Sequence, residues 1–209
     1  MQIILNSLIS FSVYSIVGLG FWMLYKTHKF FNLGHGAFII IGGYAVFLLS
    51  QQIFGVTVLG LSISIVLATI VAGILGMFID TTLYRTLRKK KQTPLVLLVV
   101  SLGLLTIIQS LIALGFNSQY KVIDSTSSFS TVYLIGSGSI SLVQIISILI
   151  AIVVSVGLYF VVTKTTFGKA FRAIADDTEV SAIVGIPVQK ILIIVAGIAS
   201  ALAGLAGAL

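Results

Sequence analysis

The sequence predicts an all-α fold, a polytopic transmembrane helical bundle of about six spans with its N-terminus outside. The 209-residue chain is 58% hydrophobic and only 8% charged, which leaves too little polar surface for a globule of this size in water. Its apolar residues form six long runs. Eleven of the twelve Lys and Arg residues fall in the first, third and fifth gaps between those runs, as is typical of cytoplasmic loops between membrane crossings.

Each run is long enough to cross roughly 30 Å of hydrocarbon, for which about 20 apolar residues are needed. The first run has no basic residue before it and no small-residue cleavage site at its end, so we expect an uncleaved first span. The positive charges of Lys26 and Lys29 are expected to keep the C-terminal end of this span on the cytoplasmic side of the membrane. The predicted spans are residues 3–25, 31–50, 56–79, 95–116, 142–162 and 191–209.

The largest outer loop is expected in the fourth gap, residues 117–141. This gap is rich in Ser, Thr and Gly, and it contains Lys121, Asp124 and the Gly-Ser repeat at 136–139. Such a composition favours a solvated connector, with an external docking surface as the alternative.

The sixth run carries a stripe of small residues that recurs every four positions, at Ala196, Ser200, Gly204 and Ala208. A stripe of this kind lets another helix approach closely and indicates helix packing rather than a substrate site. The run ends at Leu209 without a polar flank or an aromatic anchor. We therefore expect one transmembrane domain over residues 1–209, incomplete at its C-terminus.

Residues 164–187, which make up most of the fifth gap, are expected to form a cytoplasmic loop with the patterns of two short amphipathic helices. Asp176, with Glu179 three residues later, predicts a helix start, and Gly185 predicts the end of that helix.

Both helices would present an apolar face. The upstream helix carries Phe167, Phe171 and Ile174 at helical spacing, with Arg172 turned away, and the downstream helix carries Val180, Ile183 and Val184. Such faces require a cover, and the pattern leaves open whether a partner protein or the membrane interface supplies it.

The fifth gap resembles the cytoplasmic coupling loop of permease subunits of the branched-chain amino acid family of ABC importers. That loop has the form T-x-F-G-K/R-A-x-R-A, followed by an acidic turn and a helix that ends in Gly-Ile. Val180 and Ser181 depart from the two alanines of the wider Glu-Ala-Ala…Gly loop of ABC importers. The matching positions are Thr165, Phe167, Gly168, Lys169, Ala170, Arg172, Ala173, Asp176, Asp177, Glu179, Gly185 and Ile186.

Two further stretches resemble the same family in order and spacing, so the resemblance covers nearly the whole chain. The run Asn32-Leu33-Gly34-His35-Gly36-Ala37-Phe38 is similar to the N-x-A/S-H/Q-G-A-F segment that opens the second span. Thr93-Pro94-Leu95, with Ser101-Leu102-Gly103 and Gln109, is similar to the third loop and fourth span.

The resemblance implies a multi-pass permease subunit of a prokaryotic cell membrane that imports branched-chain or related amino acids. The implied partners are two ATP-binding subunits, a second homologous permease and an extracytoplasmic substrate-binding protein. Similar permeases move urea or small amides, and these stay open as cargo. The implied ATPase-coupling residues are Phe167, Gly168, Phe171, Arg172, Asp176, Glu179, Val180, Ile183 and Gly185.

Polar residues near the inner end of the second run are candidates for the translocation path. The glycines around Asn32 and His35 each cost a helix about 1 kcal/mol relative to alanine, so we expect a broken or kinked helix there. Our hypothesis is that Asn32, Gly34, His35 and Gly36 line or gate the path. The alternative is that Asn32 and His35 bond across helices and hold the bundle together.

Several other functions are disfavoured by the residues. The chain has no cysteine, no catalytic constellation and no phosphate-loop motif, so any ATP hydrolysis belongs to a partner, and no cofactor is expected. His28 and His35 lack the further ligands of a metal site. The net charge of +7 is assigned to membrane orientation rather than to nucleic acid.

The remaining alternatives are a secondary transporter or channel and a membrane scaffold. An ion-coupled transporter would need a membrane-embedded carboxylate, and Asp80, at the inner end of the third run, is expected to pair with Arg85 or with the basic cluster at 88–91 instead. A purely structural membrane scaffold would not need the two short helices of the fifth gap.

Overall fold

The computed structural model describes residues 1–55, 57–116, 132–135 and 138–209, which are mainly helical. Wider π-helical turns extend α2 over Ser50–Phe54 and α3 over Asp80–Tyr84. The helices are α1 Gln2–His28, α2 His35–Leu49, α3 Val58–Ile79, α4 Arg85–Lys89, α5 Pro94–Phe116, α6 Leu142–Lys164, α7 Thr166–Asp176, α8 Thr178–Ile183 and α9 Val188–Ala208, and the strands are β1 Val132–Ile135 and β2 Gly138–Ser141.

Six helices of the described residues are long and apolar enough to cross a membrane, so the predicted transmembrane helical bundle is confirmed. The third span is longer than predicted, because it continues through the π-turn into α4 as one helix, Leu59–Lys89. Residues 80–89 contain no Gly or Pro that would end it. Arg85 and Arg88 therefore lie on a helix instead of in a loop. The external N-terminus stays a prediction.

The outer faces of the spans carry large apolar side chains. Leu111 and Leu114 of α5 are exposed, as are Val153 and Tyr159 of α6. Exposed apolar side chains in this number are unfavourable in water and favourable against lipid chains. The surface of the bundle thus agrees with the composition in indicating lipid as the solvent.

The centre of the bundle is α9, which packs against α1, α2 and α3. In its most apolar 18-residue window, 61% of the residues are buried, against 11–28% in the other five spans. The predicted small-residue stripe lies in this interface, since Ala196, Ser200 and Gly204 are all buried. The three surrounding helices are positioned by their contacts with this one element.

Glycines allow α2 and α3 to approach α9 closely. A Cβ on Gly42 would overlap the backbone of Gly204, and a Cβ on Gly204 would overlap the side chain of Ala72. Across the same interface, Gly43 faces Gly207. The expectation of a break at these glycines is wrong for α2 itself, which is continuous over His35–Leu49. Tertiary packing against α9 offsets the low helix propensity of glycine.

A small antiparallel hairpin lies at the end of the bundle where α1 begins. Val132 pairs with Ser141, and Ile135 pairs with Gly138. The hairpin is fastened to α1, because the Gln2 amide donates to the Ser139 carbonyl at 3.2 Å and its oxygen accepts from the Ser139 N–H at 2.7 Å. The fourth gap therefore contains regular structure near its end.

Other parts of the fourth-gap prediction lie outside the described residues. They comprise Lys121, Asp124 and the first half of the Gly-Ser repeat, at 136–137.

The packing of α9 predicts that Gly204→Ala destabilises the protein. The added methyl group meets Ala72, so the helices must separate, and overpacking of this kind typically costs about 1–3 kcal/mol. Thermal unfolding in detergent should show a lower midpoint. Gly157→Ala in α6 is the matched control, because its Cβ would meet nothing within 4 Å, and it should be neutral or slightly stabilising. Equal midpoints for the two variants would contradict the packing argument.

Candidate functional site

The predicted path residues lie at the corner between α1 and α2. α1 ends at His28. The next residue, Lys29, adopts a left-handed conformation with φ of 57°, and the chain continues through a short non-helical segment to His35, where α2 begins. Non-helical backbone is thus present at Asn32, before the second span rather than within it. Gly34 is the last residue before α2.

Asn32 is buried and is fixed by contacts from two other helical segments. Its side-chain oxygen accepts a hydrogen bond from the hydroxyl of Tyr84 at 3.0 Å. The next residue, Leu33, donates its N–H to the hydroxyl of Ser101 at 3.0 Å. The corner is therefore bonded to the end of the third span and to α5, which agrees with the alternative in which Asn32 holds the bundle together.

His35 is buried between α1 and α9, with 3% of its surface exposed. Its Nε2 lies 3.3 Å from the carbonyl oxygen of Val17, to which it donates. Its Nδ1 is buried and has no hydrogen-bond partner within the described part of the chain. Gly20 makes room for the ring, because a Cβ there would come within 3.0 Å of the imidazole and 2.9 Å of the Ala199 carbonyl. The imidazole thus retains one free polar position.

A groove of about 460 Å³ runs along this corner between α1 and α2. Asn32, His35 and Gly36 line it, together with aromatic side chains of α1, Tyr14 and Phe21. No Lys, Arg, Asp or Glu of the described residues lies in its lining. The groove is therefore suited to a small solute with a large apolar part and few hydrogen-bonding groups.

A buried charged cluster lies beside the corner. Asp80 is 1% exposed, and its two carboxylate oxygens accept two hydrogen bonds from the guanidinium of Arg88, both at 2.8 Å. Its Oδ1 also accepts from His28 Nε2 at 3.0 Å, and the hydroxyl of Thr27 lies 3.0 Å from the other ring nitrogen. The pairing of Asp80 with the basic cluster is as predicted, with Arg88 as the partner.

The sequence does not reveal that His28 belongs to this cluster, because it lies 52 residues away from Asp80. Arg88 could be found from spacing alone, since eight residues on a helix are close to two turns and place both side chains on one face. His28 and His35 have separate partners in the structure.

The two helices of the fifth gap form as predicted, with one shift. α7 covers Thr166–Asp176 and α8 covers Thr178–Ile183. The residue that caps α8 is Asp177 rather than Asp176, because the Asp177 carboxylate accepts from the N–H groups of Glu179 at 2.8 Å and Val180 at 3.0 Å. Asp176 is the last residue of α7. Gly185 follows α8 with φ of 91°, which is the left-handed conformation expected after a helix.

The apolar face of α7 is covered by this chain itself. Phe171 is 1% exposed and Ile174 is fully buried, and both belong to a cluster with Met23 of α1 and Val195 of α9. The ring of Phe171 lies 5.5 Å from that of Trp22.

Several predicted coupling residues therefore serve packing. Phe167 is partly buried against the same cluster, and Gly168 is buried where a Cβ would overlap the backbone at the end of α6. The expectation that the face with Phe171 needs an external cover is wrong, because the spans already cover it. Trp22 is half-exposed and packs on α7.

The apolar face of α8 is uncovered in the structure. Val180, Ile183 and Val184 are exposed by 54%, 84% and 75%. The charged residues beside this face, Arg172 and Glu179, are exposed as well. Another protein can therefore reach these predicted coupling residues, and it can also reach Asp176 and Gly185, which are exposed.

α7 is also bonded to the corner that carries the path residues. The ammonium group of Lys29 donates to the carbonyl oxygen of Ala175 in the last turn of α7. A cation at a helix C-terminus interacts favourably with the helix dipole. Sequence patterns contain no signal for this contact, which joins segments 146 residues apart.

Comparison with known proteins identifies a family of transport permeases to which the chain is similar. Residues 3–209 match the model of a protein family described as "Branched-chain amino acid transport system / permease component". The high-affinity branched-chain amino acid transport system permease protein LivH of Salmonella typhimurium is 25% identical over 221 residues, which cover 100% of this chain and 70% of that protein. No solved structure matches the chain significantly.

Similar proteins also occur in Pseudomonas aeruginosa and Methanocaldococcus jannaschii. The permease protein BraD of Pseudomonas aeruginosa is 27% identical and covers 100% of this chain, with 70% of its own length matched. A probable LivH of Methanocaldococcus jannaschii is 27% identical, covering 93% of this chain and 61% of its own length. The names of all three relatives describe permeases of branched-chain amino acid transport.

The buried ion pair predicts that Arg88→Met is strongly destabilising. The substitution leaves the Asp80 carboxylate buried without its main partner, which typically costs about 3–5 kcal/mol. The free energy of unfolding, measured by denaturant titration in mixed micelles, should fall accordingly. Lys89→Met, which removes an exposed charge from the neighbouring position, should leave it nearly unchanged. A similar effect of both changes would refute a specific role of the pair.

Proposed function

The chain belongs to the family of permease components of branched-chain amino acid transport systems, and we propose that it forms the membrane path of an ATP-driven importer. In this proposal it resides in a prokaryotic cell membrane, pairs with a second homologous permease and docks on two ATP-binding subunits. An extracytoplasmic binding protein delivers the solute. The cargo is a branched-chain or related amino acid.

The observation that carries the ATPase-coupling part is the exposed apolar face of α8. The bundle covers the apolar face of α7 but leaves Val180, Ile183 and Val184 in the open, on a helix with a defined start and end. An apolar patch on an otherwise polar loop is a typical protein-binding surface. The chain has no phosphate-loop motif, so the energy of ATP must enter through a partner.

α7 supplies the mechanical connection from that surface to the spans. Its buried side, with Phe171 and Ile174, packs on α1 and α9, so a displacement of α8 moves rigidly packed side chains instead of a free loop. Phe167, Gly168 and Phe171 thus act in coupling by packing, while Val180 and Ile183 make the direct contacts. Arg172, Asp176 and Glu179 form the charged surround of the interface.

The groove between α1 and α2 is the proposed segment of the path. Asn32, His35 and Gly36 line it, whereas the predicted path residue Gly34 does not, and the uncharged lining of the described residues suits a solute with an apolar side chain. The free Nδ1 of His35, which is an acceptor because Nε2 carries the proton, would accept a hydrogen bond from the polar end of that solute and orient it. Urea and small amides need less apolar surface, and this makes them the second choice of cargo.

A secondary transporter is the less favoured class. Ion coupling needs a carboxylate that is free to bind and release its ion or proton. Asp80 already accepts hydrogen bonds from Arg88 and His28. The other acidic residues of the described segments, Asp176, Asp177 and Glu179, lie in the fifth gap.

We expect Ile183→Asp to weaken assembly with the ATP-binding subunits by about tenfold or more, because it places a charge in the centre of the apolar patch. Co-purification of the complex at graded subunit concentrations measures the effect. Thr166→Asp adds the same charge to the same loop, at an exposed position outside the patch, and should not change assembly.

Two results would contradict the coupling proposal. One is equal assembly of both variants. The other is labelling of Ile183→Cys from the outer side of the membrane, for which the cysteine-free chain provides a clean background.

We expect His35→Ala to lower the transport rate by about tenfold, the equivalent of one lost hydrogen bond of about 1.4 kcal/mol to the solute. Uptake of labelled leucine into proteoliposomes, corrected for the amount of inserted protein, measures this rate. Gly103→Ala is the control, since its Cβ would meet nothing within 4 Å. Unchanged transport by correctly inserted His35→Ala would contradict a role of His35 in the path. That result would not bear on the proposed ATPase interface.

A further inference from the structure

A second cleft, of about 620 Å³, lies at the beginning of α9, on the side of the bundle that carries the basic loops. Its walls come from α8, from the turn that follows α8 and from the first residue of α4. The polar side chains in its lining are Arg85, Thr178, Glu179, Gln189 and Lys190.

Two polar atoms of this lining lack partners. The Nε of Arg85 and the Oε1 of Gln189 are buried, and neither has a hydrogen-bond partner among the described residues. Within the same part of the chain, the ion pairs of the basic cluster involve Arg88, and neither Arg85 nor Lys190 takes part in one. Buried polar groups are normally satisfied, so a donor and an acceptor left open in one cleft indicate a missing ligand.

The charges in the cleft define the ligand chemically. Arg85 and Lys190 contribute two positive charges and Glu179 one negative charge, so the lining has a net charge of +1. A guanidinium and an ammonium that line one cleft are typical phosphate ligands. The nearby carboxylate disfavours a dianion, and a singly charged phosphodiester therefore fits better than free phosphate or a phosphomonoester.

The position of the cleft indicates where that phosphodiester comes from. Val188, in the lining, is the first residue of one membrane span, and Arg85 lies within the last turns of another, which ends at Lys89. From the ends of these spans we expect the cleft to lie at the level of the phospholipid headgroups.

We propose that this cleft binds the headgroup of an anionic phospholipid, of the phosphatidylglycerol type. Arg85 and Lys190 hold the phosphodiester, and the Gln189 oxygen accepts a hydrogen bond from a headgroup hydroxyl. The lipid fills the space between α8 and α9 and satisfies the buried groups there. This assignment does not depend on the ATPase interface, because the exposed apolar residues of that interface are absent from the lining of the cleft, although Glu179 borders both.

Native mass spectrometry of the purified chain in detergent, titrated with phosphatidylglycerol or phosphatidylcholine, tests the proposal. Phosphatidylglycerol should bind more tightly, and Arg85→Met and Lys190→Met should each lower its affinity about tenfold, as expected for loss of one charged hydrogen bond. Arg85→Lys, which retains the charge but loses the planar fork, should fall between wild type and Arg85→Met. Lys169→Met is the matched control, because it removes an exposed lysine from α7, and it should bind like the wild type.

Three results would overturn the proposal. An equal loss of affinity in Lys169→Met would show that only the total charge matters. Displacement of the lipid by an equal concentration of inorganic phosphate would assign the cleft to a free anion. Unchanged lipid affinity in Arg85→Met, with loss of assembly with the ATP-binding subunits, would assign the cleft to an acidic segment of that partner. Lys190 is exposed, so Lys190→Met keeps the test valid if Arg85→Met does not fold.

Discussion

Close backbone contact around α9 is the constraint on which the rest of the structure depends. In a lipid environment, burying apolar side chains gives little driving force for helix association, so van der Waals contact over small residues must supply it. Gly204 and Ser200 of α9 meet Ala72 and Gly76 of α3, and Gly42 of α2 meets the same stripe. Once α1, α2 and α3 are placed against α9, the groove between α1 and α2 follows from their positions.

Polar contacts at one end of the bundle add specificity to this packing. Asp80, Arg88 and His28 join α1 to the end of the third span, and Tyr84 fixes Asn32 at the start of the second. Arg88 is partly buried and the others are buried, so a group of this set that lost its partner would destabilise the fold. The corner that carries the proposed path residues is therefore one of the more tightly determined parts of the protein.

The segment between α6 and α9 has two apolar faces, and the two faces have different roles. α7 is packed into the bundle through Phe171 and is fastened to the α1–α2 corner through Lys29, whereas α8 presents Ile183 outward. A loop that is rigid on one side and open on the other is suited to receiving force from a partner and passing it to the spans. The proposed lipid cleft lies behind α8 and would support that helix from within.

The sequence by itself determined the number of spans and their approximate limits, except for the end of the third span. It also determined the two helices of the fifth gap, the small-residue stripe and the pairing of Asp80 with a nearby arginine. These features arise from local composition and periodicity, which act over a few helical turns. It did not determine which apolar face of the fifth gap is covered, that Asp177 caps α8, that His28 joins Asp80, or that glycines in α2 serve packing instead of a break. Those outcomes depend on which segments meet in space, and contacts between residues 52 or 146 positions apart leave no periodic trace in the chain. Only the tertiary structure brings such residues together, because the energy that decides their partners comes from packing between helices.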